Sequence, residues 1–111
     1  MARVDDLDGL MAELPEAETI TAGLEDLRRG VKDTVGALLV AIAAPRLRSL
    51  GLGVPPDDRL PDEPELRLYR HLCRISTDGG AYVQYKAMLS RLVSFEEALE
   101  RRVWAKIRAG G

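Results

Sequence analysis

The sequence contains one cysteine and one histidine, and this scarcity narrows the chemistry that it can support. Cys73 has no second cysteine to pair with, so an internal disulfide and a cysteine-cluster metal site are excluded. Metal sites draw on several His, Cys or carboxylate ligands. His71 stands alone, since neither a Glu-x-x-His nor a His-x-x-x-His spacing occurs around it. We therefore expect no metal ion and no other cofactor.

Long apolar runs are also missing. The longest spans residues 37–44, eight residues, whereas a membrane-spanning helix needs about 20. The first residues include Asp5, Asp6 and Asp8, where a signal peptide would have an apolar core. We therefore expect no membrane segment and a cytoplasmic location.

The alternation of apolar and polar residues that is typical of a half-buried strand does not occur in the sequence. Apolar residues recur instead at every third or fourth position, which is the spacing of an amphipathic helix. Proline and glycine delimit two short helices, 4–14 and 63–75, and two long helices, 19–44 and 81–109. Short links favour antiparallel neighbours. The prediction is an all-α protein, a small antiparallel helical bundle forming one domain over residues 1–111.

The first long helix contains three glycines, Gly23, Gly30 and Gly36. Each disfavours a helix by about 1 kcal/mol relative to alanine. Two interpretations are open: the helix bends or breaks at Gly30, or the glycines permit the close approach of another helix. The segment 35–44 that follows is apolar on nearly all sides, which is typical of the buried centre of a bundle.

The last helix is the most informative segment, because Ala81–Ala109 runs 29 residues without glycine or proline. As one rod it would be roughly 43 Å long, whereas a compact domain of this size has a radius of gyration of about 13 Å. Ser94–Glu97 matches a capping box, which would divide the helix at Ser94. However, Phe95 and Leu99 continue the apolar stripe across that point, which favours a continuous rod.

Close to the end of this helix, a tryptophan and its apolar neighbours have little chain left to cover them. Exposed apolar patches of this kind usually mark a protein interface. The candidate interface consists of Leu99, Val103, Trp104 and Ile107. Symmetric dimers are the commonest soluble oligomers, so we expect the partner to be a second copy of the chain or another protein.

The predicted helix 63–75 contains a group of basic residues on one of its faces. Arg67, Arg70, His71 and Arg74 follow the spacing i, i+3, i+4, i+7 and form one cationic stripe. Arginine is well suited to planar contact with carboxylate or phosphate. Three interpretations stay open: a solvated face partly neutralised by Glu63, pairing with acidic residues of the N-terminal helix or of a partner protein, and contact with nucleic-acid phosphate.

Charge is distributed unevenly along the chain, although the net charge is only −2. Residues 1–30 carry a balance of −5, residues 31–66 a balance of −2, and residues 67–111 a balance of +5. Such asymmetry is typical of a nucleic-acid-binding face or of an acidic segment that packs beside a basic one. A nucleic-acid binder needs basic residues that are not already neutralised, so we favour the second interpretation and do not expect nucleic acid as a partner.

No catalytic constellation can be assembled from the sequence. Ser90 and Ser94 lack the Gly-x-Ser-x-Gly elbow of a serine nucleophile. Cys73 falls on the predicted apolar face and points away from His71. We therefore expect a protein that is not an enzyme and that acts by protein–protein association, as a homodimer or as a subunit of a complex. The alternative is a nucleic-acid-associated regulator or antitoxin-like subunit that uses the C-terminal basic face.

Overall fold

The computed structural model describes residues 7–76 and 78–110, and within them the chain forms helices and no strand. The helices are α1 (Leu7–Ala12), α2 (Ala17–Arg28), α3 (Val35–Ser49), α4 (Pro64–Ile75) and α5 (Ala81–Gly110), with a 3-10 turn at Asp57–Arg59. The predicted all-α bundle is confirmed. The number of helices differs from the prediction because the first long helix is divided.

The helix predicted at 19–44 is two helices joined by a short loop. Gly30 adopts a φ of 83°, a left-handed conformation that ends α2 and that glycine reaches without strain. Thr34 then caps α3, since its hydroxyl accepts a hydrogen bond of 3.1 Å from the amide of Ala37. The same hydroxyl donates to the Asp26 carboxylate at 2.7 Å. This bond holds the end of α2 against the start of α3.

The other two glycines bring the backbones of α2 and α3 into contact. A Cβ atom added to Gly23 would overlap the carbonyl group of Gly36. A Cβ atom added to Gly36 would lie 2.7 Å from the carbonyl oxygen of Thr19 and 3.1 Å from the Cα atom of Gly23. Both interpretations of the glycines are therefore correct, at different positions: a break at Gly30 and close approach at Gly23 and Gly36.

The buried side chains form one apolar cluster to which α2, α3, α4 and α5 all contribute. The most fully buried of them are Ile20, Leu27, Leu38, Val40, Leu47, Leu68, Leu72, Phe95 and Leu99. The apolar segment 35–44 belongs to this cluster, as predicted, although Ile42 is only half-buried. Cys73, predicted to lie on the apolar face of α4, is exposed, because it lies about 100° around the helix from Leu72.

The last helix, α5, continues through Ser94 without interruption, so the predicted rod is confirmed. Its 30 residues correspond to about 45 Å, and the molecule is 51 Å long with a radius of gyration of 14.7 Å. Tyr85 near its start contacts Tyr69 of α4 edge to face, with ring centroids 5.6 Å apart. Arg102 near its end donates to the Leu10 carbonyl of α1 at 3.3 Å. Different parts of α5 are therefore covered by different helices.

None of the helices in the described ranges combines the length and the apolar character that crossing a bilayer requires.

We expect Gly23→Ala to destabilise the fold. Alanine favours a helix by about 1 kcal/mol over glycine, but its methyl group would overlap the backbone of Gly36, which cannot move aside as a flexible side chain would. Overpacking of this kind costs about 1–3 kcal/mol or more, so the net change should be a loss of stability. Urea unfolding followed by circular dichroism should show a lower midpoint.

The matched control is Gly110→Ala, since a Cβ atom at Gly110 meets no atom within 4 Å. Its unfolding midpoint should equal or exceed that of the wild type. A Gly23→Ala variant as stable as the wild type would contradict the backbone contact between α2 and α3.

Candidate interaction surfaces

The cationic stripe of α4 borders a cleft between this helix and the start of α3. The cleft has a volume of about 390 Å³ and is lined by Asp33, Leu38, Glu63, Leu66, Arg67, Arg70, His71 and Arg74. All four residues predicted for anion or carboxylate contact therefore meet at one surface, which we name the cationic cleft. The 3.6-residue period of α4 aligns them on one side of the helix.

Arg67 is already engaged within the chain. Its Nε donates to the carbonyl oxygen of Asp62 at 2.6 Å, and its Nη1 lies 3.8 Å from the Asp33 carboxylate. The acid that pairs with Arg67 is thus Asp33 of the α2–α3 loop, and not Glu63, which one of the three open interpretations offered as a partial neutraliser. The side chain of Asp33 is 86% exposed, so this pair adds little stability.

The remaining groups of the cationic cleft are Arg70, His71 and Arg74. Within the described part of the chain none of the three takes part in an ion pair. Guanidinium groups at this spacing can contact carboxylate or phosphate oxygens in a bidentate manner. The geometry of the cleft therefore permits contact with an anion.

The acidic N-terminal segment and the basic last helix pair within one chain. Arg91 Nε lies 3.2 Å from the Glu16 carboxylate, and Arg102 Nη1 lies 3.2 Å from the Glu13 carboxylate. The favoured interpretation of the charge asymmetry is therefore correct for these residues. Their pairing reduces the positive charge that α5 presents to solvent.

The four residues of the candidate interface occupy two environments. Leu99 and Val103 are 0% and 6% exposed and belong to the core of the same chain, where α1 packs against α5. Trp104 is 56% exposed, and Ile107 is half-buried. A partner can therefore contact Trp104 and Ile107 directly, whereas Leu99 and Val103 support the helix from within. The interface itself stays a prediction.

A second apolar stripe on α5 was missed by the sequence reasoning. Tyr82, Val93 and Trp104 are 57%, 46% and 56% exposed. They are separated by eleven residues each, close to three helical turns, so they lie along one side of the helix. With the charged residues between them they form the outer stripe, which consists of Tyr82, Lys86, Val93, Glu97, Glu100 and Trp104.

The eleven-residue spacing is visible in the sequence, but it does not by itself distinguish an exposed stripe from a buried one. At 100° per residue the members of the outer stripe fall within about 60° of arc. The core stripe through Leu92, Leu99 and Val103 lies roughly a quarter-turn away. Only the packing of α1, α3 and α4 shows which of the two stripes is covered.

Glu96 is a charged residue that the fold buries, with 8% of its surface exposed. Burial raises the pKa of its carboxyl above the ordinary value of 4.5; nearby Arg46 opposes this shift and Glu97 adds to it. Arg46 donates a 3.0 Å hydrogen bond to Glu100, one turn further along α5. Arg46 is therefore shared between two carboxylates.

Comparison of the chain with protein-family models, with curated proteins and with solved structures finds no match. In the ranges that the structure describes, no group of three His, Cys, Asp or Glu residues is placed to hold a metal ion. The surfaces that carry a functional argument are therefore the cationic cleft and the outer stripe.

We expect the stability of the protein to decrease as pH rises through the pKa of Glu96. Burial raises that pKa in the folded state, so the folded chain binds this proton more tightly than the unfolded chain. The resulting stabilisation is present at pH values below the unfolded pKa and is lost above the raised one. Glu96→Gln is neutral at every pH. Near pH 7–8 it should therefore melt at a higher temperature than the wild type, with the difference vanishing towards pH 4.

The control is Glu25→Gln, which removes one exposed carboxylate of α2 and tests the effect of net charge alone. Thermal melts at several pH values compare the three proteins. If Glu96→Gln lowered the melting temperature at pH 8, the attraction between Glu96 and Arg46 would outweigh the effect of burial.

Proposed function

We propose that this protein acts by protein–protein association and that its partner is a second copy of the chain. The observation that supports this is the exposure of apolar side chains on α5. Among the described residues seven large apolar side chains are exposed, and four of them, Tyr82, Val83, Val93 and Trp104, belong to this one helix. Full burial of such a side chain is worth about 1.5–3 kcal/mol, and association would supply that burial.

The division of α5 into two faces supports a mechanism for this association. The inner face holds the helix in the core through residues such as Leu99, so the outer stripe can meet a partner without unfolding the monomer. Trp104 is a tryptophan, and tryptophan is among the residue types enriched at the energetic centres of interfaces. Two charged residues of the outer stripe, Lys86 and Glu100, would select the partner and its orientation.

We also propose a cytosolic location and no enzymatic activity. Cys73 is a free, exposed thiol, and such thiols persist in the reducing cytosol. For catalysis, the one histidine, His71, lines the cationic cleft among arginines, and the described residues that line this cleft include no serine, threonine or cysteine.

A second candidate function is that of a nucleic-acid-associated regulator or antitoxin-like subunit. The observation that favours it is the gathering of Arg67, Arg70 and Arg74 at the cationic cleft. The ion pairs of Arg91 and Arg102 with acidic residues weigh against it, because they leave less positive charge for phosphate. We rank it below self-association.

Light scattering after size-exclusion chromatography tests the first proposal. The wild type should be a dimer at high micromolar concentration, and Trp104→Ala should shift it towards monomer. The melting temperature of the wild type should rise with protein concentration, and that of Trp104→Ala should depend on it less. The matched control is Leu66→Ala, since Leu66 is exposed on α4, away from the outer stripe. A wild type that is monomeric over the whole concentration range would contradict self-association.

We expect no submicromolar binding to duplex DNA or RNA at physiological salt. Phosphate contacts dominate such affinity, and it falls steeply with salt in proportion to their number. A fluorescence anisotropy titration at several salt concentrations measures this. Submicromolar binding that is weakened by the double change Arg70→Ala and Arg74→Ala would promote the second candidate over the first.

A further inference from the structure

Four residues of the outer stripe form two pairs that are placed symmetrically about Val93. Tyr82 lies eleven positions before Val93 and Trp104 eleven positions after it. Lys86 lies seven positions before and Glu100 seven positions after. When two identical helices run antiparallel with a twofold axis at one residue, each position before that residue faces the equivalent position after it in the other copy.

We propose that two copies of this chain associate through antiparallel α5 helices, with the twofold axis at Val93. Tyr82 of each copy then faces Trp104 of the other, and Val93 meets Val93. Lys86 of each copy faces Glu100 of the other. This arrangement rests on the proposed self-association and adds to it the contact surface, the orientation and the register.

Charge complementarity selects the antiparallel orientation. In a parallel pair in register, Lys86 would face Lys86 and Glu100 would face Glu100, and like charges brought together oppose association. The antiparallel pair replaces these repulsions with two opposite-charge contacts. Specificity for a second copy thus follows from residues of one helix alone.

The charged groups are placed so that a second copy can reach them. The side chain of Glu100 is 42% exposed and binds Arg46 of α3 through its Oε1 atom, which leaves its second oxygen as an acceptor for a lysine. Lys86 Nζ lies 5.9 Å from the centre of the Tyr82 ring, so the cation already sits above the aromatic side chain that would meet Trp104. Glu97, also exposed, lies at the edge of the stripe.

The length of the stripe suits a helix pair. Tyr82 and Trp104 are 22 residues apart, which corresponds to about 33 Å, or six turns of helix. A repeat of eleven residues drifts only slightly around a straight helix, so the stripe stays in contact along its whole length. The apolar residues at its centre and both ends would be covered together.

A cysteine on the twofold axis tests the register. In a Cys73→Ser background, Val93→Cys places two thiols opposite each other. Helix axes about 8–10 Å apart bring such positions within the roughly 4.4–6.8 Å between Cα atoms that a disulfide spans. Mild oxidation should convert most of the protein to a covalent dimer on a non-reducing gel. The control, Ser94→Cys in the same background, lies 100° around the helix and should crosslink several-fold less.

Mixing two charge variants tests the pairing. Lys86→Glu alone and Glu100→Lys alone each place like charges opposite each other in their homodimers, whereas a heterodimer of the two restores both opposite-charge contacts. Analytical ultracentrifugation should show a mixture that associates roughly tenfold more tightly than either variant alone, equivalent to about 1.4 kcal/mol. The gain over Lys86→Glu alone cannot come from the contact between Arg46 and Glu100, because that variant keeps the contact and mixing adds only chains that lack it.

The outcomes separate this inference from the proposed function. A wild type that dimerises, but in which Val93→Cys crosslinks no better than Ser94→Cys, or in which mixing brings no gain, overturns the antiparallel register and leaves self-association standing. A wild type that is monomeric throughout overturns both. Selective crosslinking at position 93 together with the gain on mixing supports the register. Weaker association of Lys86→Glu alone than of the wild type supports the antiparallel orientation, because a parallel pair has like charges facing each other in both proteins.

Discussion

The length of α5 is the constraint on which the rest of the structure depends. A helix of 30 residues spans about 45 Å, and no other helix of the described chain exceeds the 15 residues of α3. The bundle therefore covers it piecewise: α4 lies beside its beginning, and α1 and the Arg46 end of α3 lie beside its later half. Covering one face in this way completes the core and leaves the outer stripe in solvent.

A second constraint is the close fit of α2 and α3. Backbone contact at Gly23 and Gly36 brings their axes nearer than larger side chains would allow, and the bond from Thr34 to Asp26 fixes the turn between them. The sequence offered both interpretations of the glycines, and each is correct for a different residue. The sequence does not show which glycine has which role, because a left-handed turn, as at Gly30, and close backbone packing, as at Gly23, both require glycine.

The limits of sequence reasoning were set by contacts between segments distant in the chain. Periodicity predicted the continuous α5, since the apolar stripe through Phe95 and Leu99 outweighs a local capping signal at Ser94. The same periodicity grouped Leu99 with Trp104 as one candidate interface. The sequence around these residues does not show that the packing of α1 against α5 covers Leu99 and leaves Trp104 exposed. For the same reason the sequence offered Glu63, four residues from Arg67, as a possible neutraliser of that arginine, whereas the loop brings Asp33 within 3.8 Å of it.

In the proposed dimer, the two faces of α5 separate stability from association. Leu92, Phe95, Leu99 and Val103 are buried and hold the fold together, so their loss would remove apolar burial and leave cavities. Tyr82, Val93 and Trp104 lie outside the core, and their truncation would leave its packing intact. A helix that had only to close the core would gain nothing from apolar residues on a second face. Their recurrence at eleven-residue intervals, with opposite charges placed symmetrically between them, is the observation from which we propose that this surface meets a second copy.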